Sequence, residues 1–124
     1  MNNKHLVACL ISLAASVSAH AAVATTNVCP ATAIPQVAAT VTGTAGNFVI
    51  VTFTPRCSNN VILSYSDPNG TFVAVGSTST KGKNAFAGSS MGGGVVPIPA
   101  GCAGAACVTS DATAAVTAAA LISS

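Results

Sequence analysis

Apolar and polar positions alternate along this chain in short runs, and turn-forming residues separate the runs. Residues 36–44 (QVAATVTGT) are rich in Val and Thr and predict a strand ending near Gly43 or Gly46. Residues 47–54 (NFVIVTFT) form the strongest apolar run after the first two dozen positions. In an extended chain Phe48 and Ile50 face one way, and Val49, Val51 and Phe53 face the other. Both faces are apolar, which predicts a central strand buried on two sides and stopped by Pro55. Residues 61–66 (VILSYS) and 71–75 (TFVAV) flank Asp67-Pro68-Asn69-Gly70. Asp suits the first turn position, Pro presets φ at the second, and Gly at the fourth accepts a positive φ. This predicts a β-hairpin closed by a type I turn and a bulge. Tyr65 alternates with Leu63 and is expected to pack within its strand.

Beyond the hairpin the pattern weakens. Residues 76–94 (GSTSTKGKNAFAGSSMGGG) read as a long solvated loop or two, interrupted by Ala85-Phe86-Ala87. Residues 95–99 (VVPIP) read as a short edge segment, because two prolines forbid a fully paired interior strand. Residues 22–35 read as an extended leader or an edge strand anchored at Cys29. The tail from Val108 to Ser124 fits either a strand or a short helix. Its alanines and Asp111, as an N-cap, favour a helix, whereas Thr113, Val116 and Thr117 favour a strand. The surrounding β context tips the expectation toward a strand, since an Ala helix without charged partners packs weakly. The fold class predicted is all-β: a small antiparallel sandwich or open barrel with disulfides.

The opening residues change the picture. Lys4 and His5 precede an apolar run over residues 6–17, and Ala19-His20-Ala21 is a small-x-small site. Together they predict a signal peptide over 1–21 and a single secreted β-rich domain over 22–124. The run is too short for a membrane span, which needs about 20 residues. Leu6-Val7-Ala8-Cys9 is similar to a lipobox, but the apolar run continues through Ile11, Leu13 and Ala14, so Cys9 is expected to leave with the signal. The Ala-rich signal suggests a bacterial source, with export to the periplasm, the cell surface or the medium.

Export gives the remaining cysteines a role. Cys29, Cys57, Cys102 and Cys107 are an even set in an oxidising compartment. Cys102 and Cys107 enclose only four residues, so they are expected to clip their own loop, and this pairs Cys29 with Cys57. On the chain-entropy model the longer bridge stabilises by about 3–4 kcal/mol and the shorter by about 2 kcal/mol. Without Cys-x-x-Cys or a mature His, zinc and redox motifs are not expected.

Charge narrows function further. After residue 21 the charged side chains are Arg56, Asp67, Lys81, Lys83 and Asp111, and neither His nor Glu remains. General acid–base catalysis lacks its usual parts, and a Ser–Lys pair using Lys81 or Lys83 would sit in a glycine-rich stretch with little preorganisation. Nucleic-acid binding needs a larger basic patch with stacking aromatics. No catalytic, cofactor or metal residue is therefore expected. Lys81, Lys83 and Phe86 are the candidate contact residues, because loops carry function disproportionately. Asn69-Gly70-Thr71 matches a glycosylation pattern that the turn already explains.

Low charge also weakens the usual protection of β edges against association. The function expected is a non-enzymatic exported subunit of a cell-surface or extracellular assembly, partnered by itself or by other surface proteins. The alternative is a monomeric secreted module that recognises a protein or glycan. In composition alone the chain is similar to bacterial fimbrial or filament-forming subunits. It departs from chaperone-assembled pilins, because Leu121-Ile122-Ser123-Ser124 lacks an aromatic near the terminus and residues 22–28 make a feeble donor strand.

Overall fold

Five short strands pair antiparallel in chain order, and a helix closes one face of the sheet. The computed structural model describes residues 23–32 and 34–122; the expected signal peptide, Cys9 and the last two residues of the tail lie outside them. The strands are β1 (Thr26–Cys29), β2 (Val61–Ser66), β3 (Ala74–Ser79), β4 (Phe86–Ser89) and β5 (Val96–Pro97), followed by α1 (Thr109–Ile122). The sheet is open, with order β1-β2-β3-β4-β5. It is the antiparallel β architecture that the alternating runs predict, with the helical form of the tail.

The expected hairpin is present. β2 and β3 pair from Val61↔Ser79 to Ser66↔Ala74. The connection is longer than a tight turn, because β3 begins at Ala74 rather than at Thr71. Gly70 holds φ at 72°, as its turn position requires. β1 and β5 are the edge segments expected at Cys29 and around Pro97. Both disulfides form as paired by elimination: Cys29–Cys57 with Cα atoms 5.7 Å apart, and Cys102–Cys107 with Cα atoms 5.1 Å apart.

Three expectations are corrected. The tail is not a strand: Asp111 at the third helical position reaches back, and its carboxylate accepts the N–H of Val108 at 2.8 Å. What stabilises this Ala helix is close contact. Ala115, Val116, Ala119 and Ala120 are buried against Ala74 and Ala87 of the sheet and Ala85 just before β4, and Ala112 is buried beside Gly76. At Gly76, a Cβ atom would lie 2.3 Å from the carbonyl oxygen of Ala112 and 2.7 Å from the nitrogen of Val116. The glycine is the floor that lets the helix backbone approach.

For the same reason residues 76–94 are not a loop. They supply most of β3 and all of β4, and around the close approach of α1 the positions Ala74, Gly76 and Ala87 are small. Ser64 and Ser66, on the same face, are fully buried. Their hydroxyls donate to Asn27 Oδ1 at 2.6 Å and to the Ala24 carbonyl at 2.7 Å. Those bonds offset a desolvation cost of about 1–3 kcal/mol per unpaired group.

The third correction concerns residues 36–44 and 47–54, which are not central strands. Between them only Val41 and Phe53 form a bridge, and the two segments make an irregular arm. Ile50 and Val51 are 70% and 69% exposed, and Phe48 and Phe53 about half exposed. The sheet face toward α1 is already filled by Ile62, Ser64 and Ser66 of β2 and by Ala74, Gly76 and Thr78 of β3. The arm instead flanks the other face of the sheet. There Val28, Cys29 and Val41 form a second small core, joined by Val49, Cys57, Leu63 and Tyr65. Tyr65 packs in its strand as expected.

Candidate contact surface

The path of the arm defines the surface. Ala39 N–H donates to the Val28 carbonyl at 2.8 Å, on the side of β1 away from β2. Val41 then exchanges both backbone bonds with Phe53, at 2.9 and 3.0 Å. The returning limb reaches the β2–β3 connection, where the Asp67 carboxylate accepts the N–H groups of Phe48 and Val49 at 3.0 and 2.7 Å. Asn47 Nδ2 donates to the Asp67 carbonyl at 3.2 Å. The chain therefore curls from the β1 edge back over the sheet face opposite α1.

Gln36 anchors the base of the arm. Its Nε2 donates to the carbonyls of Ser58 and Val61 at 2.6 and 3.0 Å, and its Oε1 accepts the N–H of Ala31 at 2.6 Å. Under the arm lies an apolar cleft of about 140 Å³, lined by Val41, Val49, Phe53, Leu63, Tyr65 and Val75 among others. The cleft continues past the arm onto Val73, Val75, Gly88 and Val95, where the sheet face is uncovered. Val75 is 36% exposed and Val95 is 76% exposed.

The expected contact residues are only partly brought together. Lys83 and Phe86 line one shallow cleft of about 280 Å³ with Val61 and Ser77, and Lys81 is not part of that lining. Both lysines are exposed on the β3–β4 turn. That turn is held rather than loose. The Lys83 carbonyl accepts from Cys102 N at 2.9 Å, and the Gly82 carbonyl accepts from Cys107 N at 3.2 Å. The clipped Cys102–Cys107 loop thus braces the turn.

Two further groupings have simpler roles. Cys102, Cys107 and Asp111 place potential ligand atoms within 4.8 Å of one another. Here the sulfurs are bonded to each other, and the carboxylate accepts the N–H groups of Ala103 and Val108. The cluster fits a helix cap beside a disulfide better than a metal site. Gly92, Gly93 and Gly94 all have positive φ, and with Ala87, Val96 and Ala119 they border a small apolar cavity. Its lining offers no charged group to an anion.

The sequence pattern missed the arm as a surface because it scored apolarity without size. One signal was available. Residues 47–54 contain neither Ala nor Gly, whereas the helix-facing positions of β3 are Ala74, Gly76 and Thr78. Comparison with protein-family models, curated proteins and solved structures finds no match to this chain.

Proposed function

We propose that this protein is a non-enzymatic exported structural subunit of a cell-surface or extracellular assembly, with copies of itself or other surface proteins as partners. The observation that carries the reading is the exposed apolar arm, with Phe48, Ile50, Val51 and Phe53 at least half exposed. Large exposed apolar patches mark interaction surfaces. The arm lies on a chain whose charges after residue 21 are only five. Two disulfides suit an oxidising compartment. Among the described residues, no helix is long and apolar enough to cross a membrane.

The non-enzymatic part of the reading rests on where the charged groups sit. Asp67 is engaged with backbone amides of the arm and Asp111 with those of the helix start, while Lys81 and Lys83 stand on an exposed turn. The test is the size of the oxidised, processed protein by light scattering, with negative-stain imaging of the same sample. Ordered oligomers or filaments are expected, and a disperse monomer overturns the reading. The shallow cleft that joins Lys83 to Phe86 favours the second reading, a monomeric module that binds a protein or glycan. In that case the monomer would lose its ligand on Lys83→Ala or Phe86→Ala.

A further inference from the structure

We infer that Asn69 is a self-modifying site: the Gly70 nitrogen attacks the Asn69 side-chain amide, expels ammonia, and leaves a carboxylate in the turn that holds the arm. The inference does not depend on the subunit reading above. Several observations meet at this turn. Asn69-Gly70 is the single Asn-Gly pair in the chain, so here alone the nitrogen after an asparagine has no side chain beside it. Asn69 is exposed, and among the described residues the Gly70 N–H has no hydrogen-bond partner, so its proton is free to pass to solvent. Asn69 Oδ1 accepts both the Thr71 hydroxyl at 2.6 Å and the Thr71 N–H at 3.3 Å. The bond to the amide two residues on closes a turn through the side chain, and that ring contains both Asn69 Cγ and the Gly70 nitrogen.

The same two donors assist the chemistry. As the Gly70 nitrogen bonds to Cγ, negative charge gathers on Oδ1, where the Thr71 hydroxyl and N–H already sit. Hydrogen bonds to an ionised acceptor are stronger than those to a neutral one, so the donors favour the intermediate over the amide. The carbonyl then reforms, the bond from Cγ to Nδ2 breaks, and Nδ2 takes a proton from solvent and leaves as ammonia. Water adds to one of the two carbonyls of the five-membered imide and opens it. Opening at Cγ gives aspartate. Opening at the main-chain carbon gives isoaspartate, whose backbone runs through Cβ and is one atom longer. Water is the sole co-reactant.

Other asparagines lack this combination. Asn27 Oδ1 also accepts two hydroxyls, from Ser64 and Thr113 at 2.6 and 3.5 Å, but the buried Val28 follows it. Asn84 is exposed, but the buried Ala85 follows it.

The position gives the reaction a structural consequence. Residues 67–70 hold the outer end of the arm: Asp67 takes the N–H groups of Phe48 and Val49, Asn47 donates to the Asp67 carbonyl, and Gly70 fits against Gly46 with no room for a Cβ. An extra backbone atom between residues 69 and 70 moves Gly70 off that seat. A new carboxylate two residues from Asp67 adds like-charge repulsion. The modification therefore loosens the arm.

The experiment ages the oxidised wild-type protein at mildly alkaline pH beside Thr71→Val, Thr71→Ser and Asn69→Ser. Peptide mapping by mass spectrometry reads conversion at Asn69 and, as an internal control, at Asn84; hydrogen exchange reads the arm. In wild type, Asn69 is expected to convert to aspartate and isoaspartate well before Asn84, a comparison that needs no variant to fold. Thr71→Val, which loses the hydroxyl donor, should convert more slowly by about three- to tenfold, and Thr71→Ser should keep the wild-type rate. Aged wild type should exchange the amides of Phe48 and Val49 faster than fresh protein, while aged Asn69→Ser does not change. Conversion at Asn69 no faster than at Asn84 overturns the site. A Thr71→Val rate equal to wild type overturns the assistance from Thr71, and unchanged arm exchange after full conversion overturns the loosening.

Discussion

The carboxylate of Asp67 accepts the backbone N–H of Val49 at 2.7 Å, and this bond joins the arm to the connection between β2 and β3. The sequence reads Asp67 as the residue that would organise its own turn. The structure gives it a longer-range task, because the same carboxylate also takes the N–H of Phe48. Gly70, three residues on, seats against the arm as well: a Cβ there would lie 1.9 Å from the Gly46 carbonyl oxygen.

Asp67→Ala removes two charge-assisted bonds and should destabilise the protein by about 1–3 kcal/mol, with the lower end favoured because the site is half-buried. Urea denaturation gives the magnitude. Hydrogen exchange supplies the local test, since the amides of Phe48 and Val49 should exchange faster while those of β3 hold. Unchanged exchange at both amides would contradict the pinning role.

Gly76→Ala should cost more than a glycine-to-alanine change normally does in a strand. The added methyl meets the backbone of α1 at 2.3 and 2.7 Å, so the helix must move outward. A loss of about 1–3 kcal/mol, together with reduced helical signal, is expected. Gly82→Ala is the control, since its Cβ would meet Ser79 at an ordinary 3.6 Å. Equal stability of the two variants would refute the close-approach argument.

Asp111→Ala should loosen the start of α1. It removes the acceptor for Val108 N at 2.8 Å and for Ala103 N at 3.3 Å. The expected loss is about 1–2 kcal/mol, typical of a lost N-terminal cap. Circular dichroism at 222 nm against temperature reads it. Asp111→Asn, which keeps a side-chain oxygen, should recover part of the loss.

The two disulfides should differ in value. Replacing Cys29 and Cys57 together opens a loop with a sequence separation of 28, against 5 for Cys102 and Cys107. The chain-entropy model gives about 3–4 and about 2 kcal/mol respectively. Double alanine variants compared by guanidinium unfolding test the order. A larger loss at Cys102–Cys107 would show that bracing the β3–β4 turn outweighs loop entropy.

Much of this fold can be read locally. Pro68 and Gly70 announce the β2–β3 hairpin, Pro97 marks an edge, and four cysteines with one short spacing imply their own pairing. These features depend on backbone preferences and chain entropy, which act within a few residues or on the unfolded chain.

The tail, the glycine-rich stretch and the arm were decided only when distant residues met. Ala115 and Val116 are compatible with strand or helix until Gly76 offers a surface flat enough for a helix to approach. Residues 86–89 look like loop until small side chains become an advantage under that helix. Residues 47–54 look like the centre of a sheet by hydrophobicity, yet β2, β3 and β4 already fill the layer beneath α1 and these residues are left on the surface. Periodicity and turn chemistry determined that the chain would build antiparallel β structure with two disulfides. Tertiary packing decided which runs are inside, because close contact between a helix and a sheet selects for small volume, and apolar character alone carries no information about fit.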